Sequence, residues 1–152
     1  MPRPISASED IIVTDKSFTT TIVVDQSPEV VFRAINNVRG WWEGDVEGKT
    51  ERVGDEFTYR YQDIHYSKQR VTESVPGKKV TWLVVDSRLT FVEEQSEWNG
   101  TTITFEISKK GAKTELCFTH IGLVPAFQCF GGCSGAWGSI ISEDLRALIE
   151  GV

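Results

Sequence analysis

The chain has 152 residues, 39% apolar and 25% charged, with a net charge of −6. That size suits one domain that folds without disulfide staples, and the acidic balance argues against nucleic acid as a partner, because phosphate binding needs a basic face. No segment approaches the roughly 20 apolar residues of a membrane span, and the start MPRPISASEDIIVTDKSF lacks a basic region followed by an apolar run, so no signal peptide is read and a cytoplasmic protein is expected.

Residues 1–17 are read as a loose N-terminal arm, and residues 18–152 as a single domain. From Phe18 the run FTTTIVV is β-branched and predicts a strand. A short helix follows: Ser27 can cap it, Pro28 suits its first position, and Val31, Phe32 and Ile35 form one apolar stripe. Strands are then expected at 46–51 and 56–61, the second carrying Phe57, Tyr59 and Tyr61 on one face. A strand over 65–75 turns at PGKK into another over 80–85. The stretch DSRLTFVEEQSEW has no clear period. After the Asn99-Gly100 turn, TTITFEIS alternates with Ile103, Phe105 and Ile107 on one face, and in TELCFTHI the residues Leu116, Phe118 and His120 share a face opposite Cys117.

From Ala126 the apolar period changes from 2 to 3.6, through Cys129, Phe130, Cys133, Trp137, Ile140, Ile141, Leu145, Leu148 and Ile149, with Gly151 as a helix stop. The order is strand, short helix, six strands and a long C-terminal helix. Such a meander buries its inner face by curling around that helix, so the expected class is α+β, a curved antiparallel sheet wrapped around a C-terminal helix with a cavity between them.

Several strings carry a family resemblance: SPEVVFRAINNVRGWW, GDEFTYRYQDIH, VPGKKVTWLV, SEWNGTTITFEISKKGAKTELCFTHIGLVP and CSGAWGSIISEDLRALIEGV. They cover nearly everything from Phe18 to Val152. The chain resembles the SRPBCC (START-like, helix-grip) superfamily, and within it bacterial proteins similar to the activator of heat-shock-protein-90 ATPase. The resemblance implies the helix-grip fold. It leaves the activity open, since such relatives include lipid and hormone carriers, polyketide cyclases and co-chaperone-like modules.

Three cysteines and His120 lie within Cys117–Cys133, the donor types of a structural zinc site. Cys117 and His120 are three apart on a strand and leave opposite faces, so the set divides; Cys129 and Cys133 sit on the apolar stripe, where free cysteines pack as core. No metal or other cofactor is expected. Four of the eight residues from Gly131 to Gly138 are glycine, each costing about 1 kcal/mol in a helix interior. Either the regular helix begins near Ser134, or the small residues leave ligand space beneath the sheet. His120 could orient a ligand or exchange a proton, or be a satisfied core histidine. His65 shares its face with Ser67 and Gln69, a polar face expected outside. Of Trp41 and Trp42, one is expected to close the core and the other to line a cavity mouth or a partner surface. Glu93, Glu94 and Asp86 read as solvated charge.

The expected function is binding of a small apolar or amphipathic molecule in a cavity lined by Trp42, Tyr59, Tyr61, Trp82, Phe105, Phe118, His120, Phe130, Cys133 and Trp137. Two alternatives stand beside it: a chaperone-directed protein-interaction module, and a cyclase or hydrolase using His120. The chain lacks a nucleophile elbow and a phosphate-binding glycine loop.

Overall fold

The structure, a computed structural model, describes residues 16–151. All but the last two residues of the expected arm lie outside the described residues. Ser17 Oγ accepts from Gly122 N–H at 2.9 Å, and Phe18 N–H donates to the Leu123 carbonyl at 2.9 Å, tying the start of the first strand to the end of the last.

The elements are β1 (Phe18–Val24), α1 (Pro28–Asn36), a 3-10 turn (Val38–Gly40), β2 (Asp45–Gly48), β3 (Glu56–Tyr61), β4 (His65–Val75), β5 (Lys79–Leu89), β6 (Thr102–Lys110), β7 (Lys113–Ile121) and a C-terminal helix. That helix comprises α2 (Phe130–Ser139), a π-helical segment (Ile140–Leu145) and α3 (Arg146–Glu150). The seven strands form one antiparallel sheet in the order β1-β7-β6-β5-β4-β3-β2. Its curved inner face grips the helix, as the alternation predicts. Irregular register between Lys68 and Gln69 and between Val71 and Glu73 bends β4 against β5.

Helix α1 starts as its residues dictate: Ser27 Oγ accepts from Val30 N–H at 3.2 Å, and Pro28 takes a first-turn position. Strand β2 is shorter than expected. Gly48 closes it at φ +110°, where a Cβ would lie 2.4 Å from the Glu56 carbonyl oxygen, so the close crossing onto β3 needs glycine. Strand β5 runs past the expected Val85 to Leu89, because β4 is long enough to pair its end, His65 opposite Leu89.

The C-terminal helix begins at Phe130, neither at Ala126 nor near Ser134. Its start is set from a distance: the N–H groups of Gln128 and Cys129 donate to the Glu97 carboxylate at 2.7 and 3.2 Å. A carboxylate there satisfies orphan donors and opposes the helix dipole. Ser134 Oγ, instead of capping, donates back to the Phe130 carbonyl. The buried positions are Cys129, Cys133, Trp137, Ile141, Leu145 and Ile149, every fourth residue. In a pure α-helix each four-residue step rotates roughly 40° past a full turn, about 200° over five steps. The wider π turn takes up part of that drift and helps keep the stripe facing the sheet. Among the described residues no helix is long and apolar enough to cross a membrane.

Candidate functional site

A cavity of about 600 Å³ opens between the sheet and the C-terminal helix, a size ordinary for small-molecule sites. One wall comes from β3 and the start of β4: Tyr59, Tyr61, Ile64 and His65. The turn after α1 supplies Trp42 and Glu43, and the β5–β6 connection supplies Phe91 and Trp98. The helix roofs it with Gly132, Cys133, Ala136, Trp137 and Ser139, and the π-helical segment adds Ile140, Glu143 and Asp144.

The aromatic wall is stacked. Trp42 lies on Tyr59 with ring centroids 3.8 Å apart and planes 9° from parallel, and Trp137 approaches Trp42 at 5.1 Å. Tyr59 donates its hydroxyl proton to the Glu43 carbonyl. Burial raises the Tyr59 pKa, helped by the Glu43 charge, so the phenol remains a protonated donor. Trp41 and Trp42 are both buried, at 3% exposure each: Trp42 lines the cavity, while Trp41 stacks on Trp82 at 6.2 Å outside that lining. The two rings stack at 6.0 Å, and Trp41 Nε1 donates to the Ile35 carbonyl at 3.2 Å, which satisfies its buried N–H.

His120 stands one layer behind the cavity, fully buried, and is not among its lining residues. Trp137 Nε1–H donates to its Nδ1 at 3.1 Å. The proton therefore sits on Nε2, which lies 2.8 Å from Thr101 Oγ1, and Thr101 in turn donates to the Trp98 carbonyl at 2.6 Å. Burial, with His65 nearby as the smaller influence, pushes the His120 pKa down to about 3. The imidazole is a neutral strut holding two wall tryptophans.

The remaining candidates divide in the same way. Trp42, Tyr59, Tyr61, Cys133 and Trp137 line the cavity; Trp82, Phe105 and Phe118 lie fully buried outside its lining, and Phe130 is half-buried outside it as well. Cys117 is on the other side of β7, its Sγ 3.7 Å from Thr19 Oγ1. Cys129 and Cys133 are adjacent buried thiols; hydrogen bonding between them lowers the first pKa and, with burial, raises the second. Among the described residues no three His, Cys, Asp or Glu side chains gather as a metal site.

His65 is the lining residue that sequence reasoning set aside. Its strand face, expected outside, is the inner one: Ser67 and Gln69 are fully buried. His65 Nε2 lies 3.1 Å from Ser67 Oγ, and Gln69 Nε2 donates to the same oxygen. Burial lowers the His65 pKa to about 4. The parity of Phe57, Tyr59 and Tyr61 was the available signal, since antiparallel register sets Tyr59 opposite Ser67 and Tyr61 opposite His65.

The model of the family described as activator of Hsp90 ATPase homolog 1-like protein matches residues 25–150. Among solved structures, the Aha1 dimer from Colwellia psychrerythraea is similar at TM-score 0.72 and 23% identity, covering 89% of this chain and 96% of that one. A protein from Mesorhizobium loti is similar at TM-score 0.68 and 18% identity (86% and 96% covered), and one from Chromobacterium violaceum at 0.64 and 19% (89% and 98%). These identities show a shared fold. A comparison with curated proteins finds no match. With its seven-stranded curved sheet, gripped C-terminal helix and family match over 25–150, the chain belongs to the activator of Hsp90 ATPase homolog 1-like family of the SRPBCC superfamily.

Proposed function

We propose that the protein binds a small apolar or amphipathic molecule in the cavity between the sheet and the C-terminal helix. The observation that carries this is a cavity of about 600 Å³ walled by Trp42, Tyr59, Tyr61, Phe91, Trp98 and Trp137. A protein that merely needed a core would fill such a space, since interiors are close-packed and voids are costly. The helix glycines support the same reading: at Gly132, a lining residue, an added Cβ meets nothing within 4 Å. Three free cysteines suit the reducing cytoplasm.

The chaperone-directed alternative draws on family membership. The contact expected for it is the Trp41-Trp42 loop or an acidic surface, and both tryptophans are buried. Catalysis by His120 has less support, because both ring nitrogens are engaged within the core.

A neutral fluorescent probe, N-phenyl-1-naphthylamine, should bind saturably with a single site. Gly132→Phe, which places a ring in the cavity, should weaken it at least tenfold, ~1.4 kcal/mol, with the far-UV spectrum unchanged. Absence of saturable binding to the native protein would overturn the reading, as would full affinity in the variant.

A further inference from the structure

The inner face of β4 carries a buried polar row that the apolar cavity does not by itself require. Ser67 and Gln69 are fully buried, and the Gln69 Oε1 oxygen has no partner. A buried polar atom without a hydrogen-bond partner costs stability, so a row that keeps one asks for a role beyond packing.

The row has a direction. Gln69 Nε2 donates to Ser67 Oγ, so the one Ser67 proton is free to go to His65 Nε2, 3.1 Å away. Turning the amide over would give Oε1 a donor but strand two N–H groups, which is worse than one orphan acceptor. A neutral imidazole that accepts at Nε2 carries its own proton on Nδ1. That nitrogen has no partner among the described residues, and it is not among the buried polar atoms left unsatisfied, so it remains accessible. His65 lines the cavity, packed edge-on against Trp98 at 4.7 Å and Tyr59 at 5.2 Å.

The cavity lip restricts what that donor can meet. The charged side chains lining it are Glu43, Glu143 and Asp144, with no Lys or Arg. None of the three forms an ion pair among the described residues. Arg39 shares an adjoining groove with Glu43 and Asp144, but its guanidinium donates to the Gly48 carbonyl at 3.0 Å. A carboxylate or phosphate would face like charge with no partner of opposite sign.

Resting on the ligand-binding reading above, we propose that the cavity selects an uncharged aromatic ligand with a carbonyl oxygen, which accepts a hydrogen bond from His65 Nδ1–H. Ser67 and Gln69 are positioning residues: they hold the imidazole in the donating tautomer.

Three probes of nearly one shape test this: 2-acetylnaphthalene, 2-isopropenylnaphthalene, in which C=CH2 replaces C=O, and 2-naphthoate. The native protein should bind the ketone roughly fivefold tighter than the alkene, the usual net value of one hydrogen bond, and the naphthoate more weakly than either. His65→Phe should bring the ketone-to-alkene ratio to about one while the alkene's affinity stays within about twofold. Ser67→Ala should lower the ratio by releasing the tautomer. Nitrogen-15 spectra of the ligand-free protein at pH 7 should place the proton of His65 on Nδ1 and that of His120 on Nε2, a reading independent of any variant. A ratio near one in the native protein, a ratio unchanged in His65→Phe, or a His65 proton on Nε2 overturns the proposal while leaving cavity binding intact. If neither ketone nor alkene binds, the cavity reading itself has failed.

Discussion

His120 and His65 show how one residue type takes different roles from its surroundings. His120 is enclosed, with Trp137 donating to one nitrogen and Thr101 engaging the other, and its neutral form is built into the fold. Its folded pKa of about 3 lies below that of a free histidine, about 6.5, so the unfolded chain takes up the proton first as pH falls. The stabilisation is complete above pH ~6.5 and is lost progressively below it, by roughly 1.4 kcal/mol per pH unit. His120→Asn removes the titrating group. Between pH 7 and pH 5 it should lose about 2 kcal/mol less unfolding free energy than the native protein, as measured by urea unfolding. Parallel losses in the two proteins would refute this. That His120 faces inward was legible from its alternation with Leu116 and Phe118. That it is spent on Trp137 was not, because the pair joins residues from different elements.

At the scale of elements, the C-terminal helix is the least regular and the most informative. Its buried positions recur every fourth residue from Cys129 to Ile149, a spacing present in the sequence that already differs from the α-helical 3.6. Read at that value, it calls for a wide turn somewhere along the helix, and the structure puts it at Ile140–Leu145, which also delivers Glu143 and Asp144 to the cavity lip. The glycines of α2 are not demanded by packing: at Gly131, Gly132, Gly135 and Gly138 an added Cβ meets nothing within 4 Å. Gly135 is exposed and outside the cavity lining. Gly135→Ala should therefore stabilise the protein by about 1 kcal/mol and raise its melting temperature, with no effect on probe binding. A lower melting temperature would mean that the helix needs its glycine there.

At the scale of the whole molecule, stability and cavity share one aromatic system. Phe105 packs on Trp82 at 5.0 Å and on Phe118 at 5.2 Å, and Phe118 meets the wall residue Trp137 at 4.6 Å. Removing a ring from that layer leaves a void that its neighbours fill only in part. Phe105→Ala should cost about 3–5 kcal/mol, read as a lower denaturation midpoint with an unchanged slope. A loss below about 1 kcal/mol would show that the cavity collapses freely, contrary to a preformed site. The expected lining set mixed this layer with the wall itself, since Trp82, Phe105 and Phe118 share inward parity with the residues that do line the cavity. Parity tells which side of the sheet a residue takes and nothing about its depth.

The sequence by itself determined the order of elements along the chain, the short helix, the antiparallel meander, the inward faces of β3, β6 and β7, and the family, because these follow from local periodicity, turn residues and strings; the pairing of β1 with β7 came from the fold. Only the tertiary structure decided which inward residues reach the cavity and where the C-terminal helix begins; the inward turn of the polar face of β4 was carried by the β3–β4 register, a signal the polar composition of that face masked. Both depend on partners from different elements: Glu97 at the start of α2, and Trp137 against His120. Periodicity fixes a side chain's direction, whereas burial and hydrogen bonding are set by what the fold brings to meet it.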